Sequence, residues 1–157
     1  MIPETDLYAT AFFLADHAAV ENGKVYVNGG FWNQMQFATF PAASTFSIVG
    51  VINVPWTAQG QQHHFAVTFT DADGHQLDGE FSGQFEVNNP NAPIGEPFIM
   101  PIAASANGFV FQGPGHYSAV LKIDDEEVSR WGFKVNVAVQ QDPSGPGGSG
   151  PADIPRF

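Results

Sequence analysis

The chain of 157 residues fits one domain of ordinary size, able to bury roughly 70% of its unfolded surface without covalent staples. It has no cysteine, so disulfide scaffolds, zinc ribbons and thiol catalysis are excluded and the redox compartment is left open. Sixteen acids against five bases give a net charge of -11, which phosphate backbones and anionic lipid heads repel; no nucleic acid and no membrane partner is expected.

Fifteen phenylalanines, seventeen glycines and twelve prolines describe pleated, half-buried surfaces punctuated by tight turns, the composition of an all-β protein. No apolar run approaches the ~18 residues of a membrane-spanning helix. The acidic opening Met1-Ile2-Pro3-Glu4-Thr5-Asp6 lacks the basic flank of a secretory signal, so none is expected.

Residues 8–15 (YATAFFLA) make a short apolar run ended by Asp16-His17, and Glu21-Asn22-Gly23-Lys24 is a strong turn signal. Val25-Tyr26-Val27 returns from that turn and kinks at Gly29-Gly30 ahead of Phe31-Trp32, which reads as a hairpin. The alanines leave a helix over 8–19 as the alternative. Residues 44–54 are apolar on both faces: Phe46, Ile48 and Ile52 point one way, Val49 and Val51 the other. Such a strand is covered on both sides or offers one face to a partner. Pro55-Trp56 ends it, and Ala58-Gln59-Gly60 forms a loop.

The next segments alternate with the period of two that a sheet with one wet face requires. Phe65, Val67 and Phe69 oppose His64, Ala66 and Thr68; after the turn Asp71-Ala72-Asp73-Gly74, Phe81, Phe85 and Val87 oppose Glu80, Ser82, Gln84, Glu86 and Asn88. Residues 88–93 form a loop. Residues 97–104 read as an edge strand, because Pro101 cannot donate to a ladder on both sides. Phe109-Val110-Phe111 and the turn Gly113-Pro114-Gly115 follow. A second hairpin then places Tyr117, Ala119, Leu121 and Ile123 on one face, turns at Asp124-Asp125-Glu126-Glu127, and returns through Trp131, Phe133, Val135 and Val137. About eight strands at this spacing predict an antiparallel β-sandwich over residues 1–139. Residues 140–157, rich in Gly and Pro, build no core and form an extended C-terminal tail.

Leu14-Ala15-Asp16-His17-Ala18, the run Gly23 to Gly30 (GKVYVNGG) and Phe40-Pro41 resemble the opening of a bacterial and phage domain family of unknown function. Asp71-x-Asp73-Gly74, Phe85-Glu86-Val87, Gly113-x-Gly115-x-Tyr117 and Ile123-Asp124 with Glu126 resemble its later landmarks, so the likeness covers roughly residues 7–137. It implies a small β-sandwich and transfers no site residues. The family tends to place Asp-Gly in the last hairpin, where this chain has Asp124-Asp125.

The residues offer several chemistries and complete none. His63 and His64 fall on opposite faces of a strand, so they cannot share an ion with His75. The Asp71 loop opens like a calcium loop, but its twelfth position is Ser82 rather than a glutamate. The acids at 124–127 read as a solvated turn rather than a cation site. No metal and no cofactor is expected. Gly113-Pro114-Gly115 lacks the helix and lysine of a phosphate loop. Asp16-His17 has no nucleophile elbow to serve, since neither Ser82 nor Ser118 stands in one. Glu80 and Glu86 lie on the wet face of their strand.

The expected function is therefore non-enzymatic: a structural, protein-interaction module of a larger assembly, by self-association or in a particle lattice. Its most concrete form is a phage virion accessory protein such as a capsid decoration, located in the virion, or otherwise in the cytoplasm. Trp131 is expected in the core and Trp56 at the surface. Expected partner-binding residues are Ile154, Pro155, Arg156 and Phe157 as a tail anchor, with Val49, Val51 and Trp56. The alternative is a bacterial module that binds carbohydrate or another ligand through Trp56 and nearby polar loop residues.

Overall fold

The computed structural model describes residues 6–139, where the hydrophobic alternation becomes nine strands in two sheets. They are β1 (Tyr8–Glu21), β2 (Lys24–Gly30), β3 (Gln34–Phe37), β4 (Ala42–Val54), β5 (Gln62–Asp71), β6 (Phe81–Glu86), β7 (Phe98–Phe111), β8 (Gly115–Ile123) and β9 (Glu126–Val137). One sheet has the order β2-β1-β4-β7 and the other β3-β9-β8-β5-β6. The fold is the all-β sandwich that the sequence predicts. Residues 8–19 are strand rather than helix, because Phe12 and Leu14 serve one cluster while Phe13 and Ala15 serve another. That two-sided division follows a strand's parity.

Both hairpins close through two residues at positive φ, the turn whose twist matches paired strands. Asn22 and Gly23 (φ 50° and 72°) join β1 to β2, and Asp124 and Asp125 (φ 50° and 69°) join β8 to β9. β7 is longer than expected. It runs through Phe111, so 97–104 and 109–111 form one strand. β3 is the element the sequence reading lacks, and it pairs parallel to β9, with Gln34 opposite Lys134 and Phe37 opposite Val137.

The main core lies between the sheets. Phe46, Phe69 and Phe111 are fully buried there, with ring centroids 5.8 Å apart for Phe46–Phe69 and 5.9 Å for Phe111–Phe133. Each such side chain withdrawn from water stabilises the fold by about 1.5–3 kcal/mol. A second cluster of Phe13, Ala15, Ala18 and Val49 lies on the opposite face of the first sheet. β1 and β2 touch β7 although β4 stands between them in the sheet, so the β1–β2 hairpin curls across that face. Ser47 fastens the curl by accepting the Ala18 N–H at 3.0 Å. Trp131 is partly buried between the two clusters and donates its indole N–H to the Trp32 carbonyl at 3.1 Å. Residues 140–157 lie outside the described residues, the expected anchor Ile154, Pro155, Arg156 and Phe157 included.

Candidate functional site

Among the described residues the two sheets end in four edge strands: β2, β7, β3 and β6. Edges invite association unless they are short, charged or interrupted. β3 has four residues, β6 ends in Glu86, and β2 begins at Lys24 and curls away. β7 differs: its fourteen residues (FIMPIAASANGFVF) include no charged side chain, and Ile99 and Val110 are exposed along it. Pro101, opposite Val51, has no N–H to give, which suits a strand paired on one side only. Between Pro101 and an irregularity opposite Ser44–Phe46, the stretch Ile102–Ala106 is regular.

A second region is built where β4 leaves the sandwich. Pro55 ends the strand, and Trp56–Ala58 make a single 3₁₀ turn closed by Ala58 N–H to the Pro55 carbonyl at 2.9 Å. The Gln59 side-chain amide donates to the carbonyls of Glu96 at 3.0 Å and Val54 at 3.4 Å. Trp56 stands 44% exposed above a groove of about 490 Å³, with Thr57 and Gln59 on its side and Val87, Asn88 and Asn89 opposite.

His63 secures this turn from beneath. Its ring is 5% exposed, stacks on Phe85 at 5.3 Å, and meets an acceptor at each nitrogen: the Asp124 carboxylate at 2.7 Å from Nδ1 and the Ala58 carbonyl at 2.8 Å from Nε2. Two acceptors call for two N–H donors, which is the imidazolium. Burial works against that charge, but the Ala58 carbonyl and the Asp124 carboxylate outweigh it and raise His63 above its ordinary 6.5. Burial likewise opposes the Asp124 charge, yet the His63 ring and the His64 N–H, at 2.9 Å, hold its carboxyl below the usual range. Neither imidazole nitrogen keeps a lone pair for a substrate, so the pair is a fastener between the β4–β5 connection and the β8–β9 turn.

The other expected residues fall as follows. Asp71, Asp73 and His75 bring one ligand atom each within 4.8 Å of the others. Asp71 spends Oδ1 on the N–H groups of Asp73 and His75, both at 2.9 Å, which lowers its pKa, the His75 N–H contributing most. That is the geometry of a turn fixed by its own aspartate. Val49 is fully buried against this chain's own Phe13, Ala15 and Ala18, so it presents nothing to a partner; the curled hairpin supplies the cover that was expected from another molecule. Val51 is half-buried and Trp56 exposed. Sequence reasoning missed the His63–Asp124 pair. Parity turns His63 inward with Phe65, but its partner stands sixty-one residues away.

Residues 10–136 match the profile of a family described as a family of unknown function, DUF6941. No curated protein matches the chain. Among solved structures the chain is similar to a Pseudomonas fluorescens alkylpurine DNA glycosylase, AlkC, at 7% identity and a TM-score of 0.47, over 82% of this chain and 30% of that one. It is also similar to a β-glucosidase from Listeria innocua, at 9% identity and a TM-score of 0.41, over 83% of this chain and 16% of that one. The chain thus spans under a third of either protein's length.

Proposed function

The chain belongs to DUF6941, a family whose function is unknown, and we propose from the geometry that it is a non-catalytic β-sandwich module that joins a larger assembly through the free side of β7. The observation that carries this reading is an edge strand of fourteen residues without one charge, in a chain of net charge -11. An edge left so bare lends its unpaired backbone to another strand, and added strands are a common mode of protein recognition. Pro101 confines such pairing to Ile102–Ala106, close to the mean strand length of about 5–6 residues. The occupant is a strand of a second copy or of a neighbouring particle subunit. In its most concrete form the assembly is a phage particle and the chain a capsid-decorating accessory, a form favoured by the sequence resemblance.

Sedimentation of the full chain across a range of concentrations tests this. Ser105 shares the parity of Pro101, so Ser105→Pro removes an N–H from the free side and leaves the β4 ladder intact. The wild type is expected to self-associate, or to bind particles, while Ser105→Pro stays monomeric with the same melting temperature. A wild type that is monomeric throughout and absent from particles defeats the proposal.

A further inference from the structure

We propose that the groove beside Trp56 binds a neutral saccharide, with the indole as the platform for one sugar ring. The ring is exposed, yet its backbone is held rigidly. Pro55 and the 3₁₀ turn fix its start, the Gln59 amide ties the loop to the Val54 and Glu96 carbonyls, and His63 holds the Ala58 carbonyl from below. A large apolar face offered to water on so fixed a support is pre-organised, and pre-organisation is what lowers the cost of binding. The two walls are joined as well, since Gly60 N–H donates to the Val87 carbonyl at 2.9 Å. At about 490 Å³ the groove lies within the ~300–1,000 Å³ of ligand sites.

The lining selects the class of ligand. Asn89 brings an amide, Thr57 a hydroxyl and Trp56 the one aromatic face. Gln59, whose N–H groups go to the Val54 and Glu96 carbonyls, offers its amide oxygen, and Asn88 gives one N–H to Glu86 at 3.0 Å. Among the described residues no lining side chain is ionisable. In a chain this acidic, an uncharged groove neither attracts a cation nor balances an anion. A cation finds a better field in the separate groove rimmed by Asp6, Glu126 and Glu127. An apolar protein contact calls for a wide apolar surface, and here one indole with the edges of Val87 and Pro90 is all the groove offers. What remains is a molecule with many neutral hydroxyls and one flat C–H face, which describes a pyranose: its hydroxyls meet the amides and its face meets the indole.

The test titrates the full chain with short β-glucan, α-glucan and chitin oligosaccharides up to about 10 mM, with polygalacturonate as the charged comparison. At least one neutral series is expected to shift tryptophan emission saturably. Trp56→Phe abolishes that shift while Trp32 and Trp131 still emit, and Trp56→Ala weakens binding about tenfold or more by calorimetry with an unchanged melting temperature. Ser105→Pro leaves the titration unaltered, so failure here and failure of the β7 edge are read separately. The inference is overturned if no neutral saccharide binds, if Trp56→Ala binds as wild type does, or if Trp56 emission responds only to protein concentration, the mark of a protein contact.

Discussion

The two hairpin turns share one backbone shape and reach it by different means. In the β1–β2 turn the residue types suffice: Asn22 tolerates a left-handed conformation and Gly23 adopts it freely, with open space around the position of a Cβ. In the β8–β9 turn two aspartates occupy the same region, and the second, at φ 69°, has no glycine's freedom. What holds that turn is distant. The Asp124 carboxylate accepts from the His63 ring and from the His64 N–H. One turn is therefore specified locally and the other by a tertiary fastener.

The largest expected effect breaks the second turn at its fastener. Asp124→Ala leaves the His63 ring buried with one acceptor gone, and urea unfolding should show a loss of about 1–3 kcal/mol, the partial exposure of Asp124 keeping it at the lower end of buried pairs. Asp124→Asn, which keeps a hydrogen-bonding oxygen, should lose less.

Acidity gives the next effect, and only the second turn should feel it. The pKa of His63 is raised on folding, so its contribution is complete below 6.5 and is lost as pH rises through the folded value. The pKa of Asp124 is lowered, so its contribution is complete above 3.8 and is lost as pH falls through the folded value. The pair is at full strength between 3.8 and 6.5. Melting curves should show a decline on the alkaline side that Asp124→Asn removes.

Substitutions within the turns sharpen the contrast at smaller magnitude. Gly23→Ala should destabilise by about 1 kcal/mol, since a Cβ meets strain there whatever the space. Asp125→Gly should stabilise by up to about 1 kcal/mol, because it removes strain without touching the carboxylate that His63 uses. If Asp125→Gly destabilises, the second turn is not under strain and the contrast fails.

The smallest effect serves as a control on all of these. Truncation after Gln141 should move the melting temperature of the sandwich by no more than about 1 °C. The same truncation should lower occupancy in the proposed assembly if Ile154, Pro155, Arg156 and Phe157 anchor it. A tail whose removal shifts the melting temperature by several degrees would belong to the sandwich itself.

The difference between the turns also explains what the sequence discloses. Asn22-Gly23, the alternation of Phe65, Val67 and Phe69, and Pro101 in an edge strand are local signals whose physics is complete within a few residues. The His63–Asp124 pair, the cover over Val49 and the strand Gln34–Phe37 are products of closure between distant segments. Parity says that His63 turns inward, but it is silent on what waits there. Trp56 falls between these cases: a proline before it at a strand end announces exposure, whereas the rigidity of its support depends on His63 and Gln59.

The parallel ladder of β3 on β9 bears on the order in which the molecule assembles itself. β8 and β9 meet across two residues, but β3 meets β9 across about a hundred, and every residue of that loop must be gathered before the ladder gains a single bond. Chains dominated by such distant pairings fold in milliseconds to seconds rather than microseconds. The docking of β3 is therefore expected to trail the β8–β9 hairpin, with Trp32, just ahead of β3 and edge-on to Phe46 at 6.1 Å, as its natural reporter. In a stopped-flow refolding experiment its emission should settle after the bulk of the sheet signal, timing the moment when the chain's early segment is secured by its late one.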